Sequence, residues 1–170
     1  MENVVTTSYS AMMIANFIIS YCKENNFEIN NLRLQKLLYF VQGFYLVNND
    51  KLLFEDSIEK WRYGPVIPQV YHAFKSYGSD EINDVEDEII VIENNNSFSI
   101  EVQSYSSDNI KNNDIKFIEA IVTSLKEVDT FDLVEITHNQ QAWFNDRNRI
   151  MNGERNIMYT EQELRDEFII

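Results

Sequence analysis

The chain has 170 residues, with 14 Lys and Arg against 28 Asp and Glu, a net charge of −14. That balance repels a phosphate backbone rather than releasing its counterions, so nucleic acid is not an expected partner; it suits either a basic protein partner or solubility alone. A hydrophobic fraction of 44% is that of a globular protein, no run approaches the roughly 18 apolar residues of a membrane span, and no export signal is visible, so one cytoplasmic domain over residues 1–170, with no membrane partner, is expected.

The first helix is predicted from about Ser10 to Lys23, with Met13, Phe17, Ile18 and Tyr21 at three- and four-residue steps and Ser8 or Ser10 as its cap. The single cysteine, Cys22, falls within it and reads as a small buried hydrophobe; one thiol builds neither an internal disulfide nor a cysteine-based metal site. Asn25 and Asn26 interrupt this helix, and Asn30 or Asn31 can cap a second one from Leu32 to about Val47. Its stripe of Leu34, Leu37, Leu38, Val41 and Tyr45, widened by Tyr39, Phe40 and Phe44, predicts a central helix. Arg33 and Lys36 read most simply as reaching into solvent. Gly43 costs about 1 kcal/mol relative to Ala inside a helix unless another element packs against it, so a close approach is expected there.

Ile58–Tyr63 reads as a strand leading into a Gly64-Pro65 turn, and Pro68 suits the first turn of a third helix carrying Val70, Tyr71, Phe74 and Tyr77 before Gly78 stops it. Asp80, Glu81, Asp84, Glu86, Asp87 and Glu88 then form an acidic run, ordinarily a solvated loop. Glu88–Glu93 and Ser97–Gln103 flank Asn94-Asn95-Asn96, and Phe98, Ile100 and Val102 alternate with polar residues, the period of a hairpin. A fourth helix is predicted from Ile115 to Lys126, capped by Asn113 or Asp114, and a shorter one after Thr130 carries Leu133, Val134 and Ile136 toward His138. Thr160 and Glu163 have capping-box spacing, opening a last helix from Glu161 toward Phe168. With no repeat and no Pro- or Ser-rich linker, the expected fold class is α+β, mainly α-helical, a single compact domain with a small β-hairpin or short antiparallel sheet and an acidic insert at about 79–103.

Four glycines supply neither G-x-G-x-x-G nor a Walker-type loop, and His72 and His138 lack a partner at metal-ligand spacing. No catalytic residue, cofactor or metal ligand is assigned; a metal-dependent hydrolase would need carboxylates gathered from afar. His138 reads as a general base, a partner contact, or an imidazole holding a helix end through a backbone hydrogen bond. Trp143 reads as a binding anchor or a core plug. Trp61 and Tyr63 can line a partner groove or close the rim of a core, and the residues themselves leave both open.

The stretch Leu34-Gln35-Lys36-Leu37-Leu38-Tyr39-Phe40-Val41-Gln42-Gly43-Phe44-Tyr45-Leu46 resembles the K-L-L-Y-F-x-Q-G-x-Y-L signature of the Panacea antitoxin domain. Downstream, Leu52-Leu53-Phe54, Ile58 through Pro68 with Trp61-Arg62-Tyr63-Gly64-Pro65, Val70-Tyr71-His72-Ala73-Phe74, and Leu133 through His138 followed by Trp143 are similar to further family elements in the same order. The chain departs from the pattern at Gln141-Ala142, where a proline often precedes the tryptophan, and at Lys60, where alanine is frequent. The resemblance implies a non-enzymatic antitoxin that neutralises a cognate toxin protein by direct binding; the toxin is expected to be encoded alongside, and the acidic charge of the chain suits a basic one. A SocA-like branch of the family implies the alternative, an adaptor delivering its toxin to a host protease. Family-motif residues and candidate partner contacts are Gln35, Lys36, Tyr39, Gln42, Gly43, Trp61, Tyr63, Gly64, Pro65, Tyr71, His138 and Trp143, with Asp84, Glu86, Asp87 and Glu88 as steering charges.

Overall fold

Ser10 opens the first helix, its hydroxyl accepting the Met13 N–H at 3.1 Å, in a computed structural model that describes residues 8–169. This helix, α1 (Ala11–Glu24), buries nearly all of its apolar side chains. Cys22 lies inside it, and burial, which outweighs the nearby charge of Arg33, pushes its thiol pKa up to about 11. Asn30 caps α2 (Asn31–Asn49) by accepting the Arg33 N–H at 2.9 Å, and Asp50 ends it in the left-handed region at φ 55°. The later elements are β1 (Glu59–Trp61), β2 (Gly64–Val66), α3 (Pro68–Phe74), β3 (Glu88–Asn94), β4 (Ser97–Gln103), α4 (Asn112–Ser124), α5 (Thr130–Asn139), α6 (Gln141–Met151) and α7 (Glu161–Phe168). The fold is α+β and mainly helical, with two small antiparallel sheets, β1–β2 and β3–β4, among the described residues.

Helix α2 is central, packing against α1, α3, α4, α5, α7 and β2. Leu34, Leu37, Leu38, Val41 and Leu46 have essentially no exposed surface. Gly43 meets α7: a Cβ built there would overlap the ring of Phe168, whose edge also packs on Phe40 and Phe44. The close approach expected at this glycine is therefore made by the last helix. Tyr159 N–H donates to the Ile58 carbonyl at 2.8 Å and Lys60 N–H to the Ile157 carbonyl at 2.7 Å, so the segment before α7 pairs with β1.

Several expectations are corrected. Lys36 does not reach solvent: it is fully buried, and its ammonium donates to the Pro65 carbonyl at 2.9 Å. Arg33 is half-buried and donates to the carbonyls of Leu125 at 2.8 Å and Val128 at 2.7 Å, satisfying acceptors left over where α4 ends. Gly64 and Pro65 lie in β2, and the turn is made by Arg62 and Tyr63. Helix α4 has Lys111 at its cap with no side-chain bond; Asp114 instead accepts the hydroxyls of Tyr9 at 2.7 Å and Tyr45 at 2.9 Å. Helix α6 was not foreseen, because only Ala142, Trp143 and Ile150 are buried along it, too few to print a helical period.

Candidate functional site

Four motif residues of α2, Gln35, Lys36, Tyr39 and Gln42, form a buried polar ladder rather than a surface. Gln35 accepts the Ile67 N–H and donates to Asn31, both at 2.9 Å. One helical turn on, Tyr39 donates to the Gln140 side chain at 2.6 Å. Gln42 accepts the Leu53 N–H at 2.9 Å and donates to the Phe54 carbonyl at 2.5 Å. Gln35, Lys36 and Gln42 thus satisfy backbone groups of Ile67, Pro65, Leu53 and Phe54, while Gly43 gives room to the Phe168 ring. The ladder positions the β1–β2 hairpin and the α5–α6 junction.

The β1–β2 hairpin and α5–α6 enclose a cleft of about 350 Å³ lined by Arg62, Tyr63, His138, Trp143, Phe144 and Arg147, among others. Gly64, at φ 90°, lets β2 pass directly over Lys36 and Thr137; a Cβ there would lie 2.5 Å from the Thr137 hydroxyl and 3.3 Å from the Lys36 ammonium. His138 stacks on Trp143, ring centroids 3.8 Å apart and planes 17° apart, while the Trp143 indole N–H donates to the Trp61 carbonyl at 2.9 Å. Burial holds the His138 pKa below its ordinary value against the hydrogen bond to the Arg62 backbone, with the charges of Lys36 and Arg147 adding to the depression. The ring forms a wall of the cleft and ties the end of α5 to the β1–β2 turn. Its Nε2 is enclosed without a hydrogen-bond partner among the described residues.

Trp143 is core, 3% exposed, whereas Tyr63 is 56% exposed. Trp61 is half-buried: its edge packs on Tyr71, also half-buried, at 5.0 Å between centroids, and its indole N–H donates to Glu59 at 2.7 Å. Phe144 and Met151, exposed beside this cleft, were missed with α6 itself. So was the role of Lys60, which is 3% exposed and donates to Asp146 and Glu163, each at 2.7 Å, beneath the ring of Tyr159. This triad joins β1 to α6 and α7, and the departure from the usual alanine was its only sequence signal.

The acidic run is anchored from below and charged above. Ile82 is buried and its N–H donates to the Ile29 carbonyl at 2.8 Å, while the buried Asn16 of α1 holds Glu86 at both its N–H and its carbonyl. Glu88 accepts the Ser10 hydroxyl at 2.8 Å, and Asp84 faces Lys23 at 3.5 Å with both side chains largely exposed. Asp87 is exposed and Glu86 half-buried. The structure therefore brings Tyr63, His138 and Trp143 together at one cleft, sets the Trp61 ring on Tyr71 and His72 instead, and places Asp84, Glu86, Asp87 and Glu88 in a segment apart from the cleft.

Among the described residues, no three His, Cys, Asp or Glu side chains gather as a metal-binding group, and no helix is long and apolar enough to cross a membrane. The sequence profile of the family described as Antitoxin SocA-like, Panacea domain matches residues 34–144, more than half of the chain. Antitoxin SocA of Caulobacter vibrioides (strain NA1000 / CB15N) is 39% identical over 71 residues, covering 42% of this chain and 38% of that protein. No solved structure matches.

Proposed function

The chain belongs to the SocA-like, Panacea-domain antitoxin family, and from that premise we propose that it neutralises a cognate toxin by direct protein–protein contact. The family match across residues 34–144 is the observation that carries this reading. It is supported by chemistry: neither phosphate-binding loop motif is present, and the histidine of the motif cleft is stacked flat on Trp143. No catalytic step is assigned to the chain. A net charge of −14 fits a basic toxin, whose gene we place beside this one.

Co-expression tests the reading. The product of an adjoining open reading frame should arrest growth when expressed alone, and this protein should relieve the arrest and co-purify with that product in a defined stoichiometry. Arrest that persists with both proteins present and soluble refutes neutralisation. Relief that vanishes when a host protease is deleted, with the complex still forming, replaces neutralisation by delivery to that protease.

A further inference from the structure

The β3–β4 hairpin turns an apolar face outward. Ile89 pairs across the strands with Val102, Val91 with Ile100, and Glu93 with Phe98, so the five apolar residues form one cluster with Glu93 at its tip. All five are exposed, from 60% for Val91 to 76% for Phe98. Side chains alternate between the faces of a strand, and on the opposite face the β3 residues Glu88, Ile90 and Ile92 are half-buried, while their β4 neighbours are exposed. There Glu88 and Ile90 share a recess with Tyr9 and Met13, and Glu88 is held by Ser10. The outward orientation is thus set by register and anchored at the base of the hairpin; a one-residue slip would reverse it. A contiguous apolar cluster on a two-stranded ribbon is unlike the singly scattered surface hydrophobics that need no explanation.

Charge identifies what covers it. Between Lys75 and Lys111 the chain carries nine acidic residues and not one lysine or arginine. Glu93 lies on this face and Glu88 and Glu101 on the other side of the same ribbon, so a second copy would set acidic charge against acidic charge, whereas a basic surface with an apolar centre is complementary in both respects. We propose that the outward face of the β3–β4 hairpin is the docking surface for a basic partner protein presenting an apolar patch rimmed by lysine or arginine. The proposal rests on the toxin-binding reading and identifies that partner with the toxin.

The test uses the full chain and the purified product of the adjoining growth-arresting reading frame. Phe98→Thr with Ile100→Thr removes two exposed apolar side chains while keeping strand propensity, and Ile89→Thr with Val102→Thr does so at the other end of the cluster. Each pair should raise Kd at least about 30-fold, as loss of central apolar anchors does, with an unchanged melting temperature. Hydrogen exchange should show the amides of residues 89–102 protected in the complex. Both pairs binding within about 3-fold of the parent, with those amides unprotected, overturns the docking surface and leaves toxin binding standing. Failure of the unaltered protein to bind overturns the toxin reading and the assignment that rests on it. Concentration-dependent dimerisation of the parent, abolished in both pairs, makes the occupant a second copy and also overturns the proposal.

Discussion

Lys36 donates to the Pro65 carbonyl at 2.9 Å from a position with no exposed surface, joining the middle of α2 to β2 without a carboxylate partner among the described residues. Burial alone draws its pKa from 10.5 down to about 7. Below about pH 7 the lysine is charged in both folded and unfolded chains, and its desolvation cost is present in full. Between about pH 7 and 10.5 the unfolded chain holds more protons than the folded one, so this destabilising contribution is relieved as pH rises. Lys36→Met should therefore exceed the parent in stability at pH 6 by about 1–4 kcal/mol, with the gap closing toward pH 9.5, as read by urea unfolding at each pH. A pH-independent gap would show that the ammonium is charged in the folded state throughout.

Lys60 presents the opposite case, a buried ammonium with two carboxylates. Lys60→Ala leaves Asp146 and Glu163 without it and should cost about 2–4 kcal/mol at pH 7. Burial works to raise the Asp146 pKa, but the hydrogen bonds from Lys60 and Arg149 outweigh it, and the net shift is downward. A carboxylate depressed in this way contributes stability above its unfolded pKa and loses it as pH falls through the folded value. The deficit of Lys60→Ala should accordingly shrink between pH 7 and pH 3 in denaturant titrations; a deficit that grows on acidification contradicts the assignment.

Gly43 and Phe168 should behave as a coupled pair. Gly43→Ala forces the ring aside and should cost about 1–3 kcal/mol, despite the better helix propensity of alanine. Combined with Phe168→Ala, the same change should cost less than about 0.5 kcal/mol further, and a double-mutant cycle measures the difference. Additive costs would place the strain elsewhere.

Replacing Asp84, Glu86, Asp87 and Glu88 with Asn or Gln should slow toxin association about 10-fold at low salt, with dissociation little changed. The difference should fade above about 0.5 M salt, where the Debye length is only a few ångströms. Stopped-flow kinetics with the adjoining toxin decide this, and a large increase in dissociation rate instead would put these carboxylates inside the contact.

Helix α2, the two strands of the hairpin and the Thr160–Glu163 capping box were legible in the sequence, because the signals that specify them lie within a few residues of one another, whereas the hairpin register, with Asn94 in the strand opposite Ser97, was not. The order of the motif elements likewise identified the family. What periodicity alone could not convey was the fate of each polar group: Gln35, Lys36 and Gln42 look like the wet side of a helix, yet they face loops whose backbone groups need partners. Helix α6 was hidden because its burial comes from contacts with β1, α5 and α7 rather than from its own apolar period. Period two announced Phe98, Ile100 and Val102 as one face of a strand. Only tertiary packing decided that this face points outward, because Glu88 and Ile90 on the other side, not these side chains, meet the start of α1.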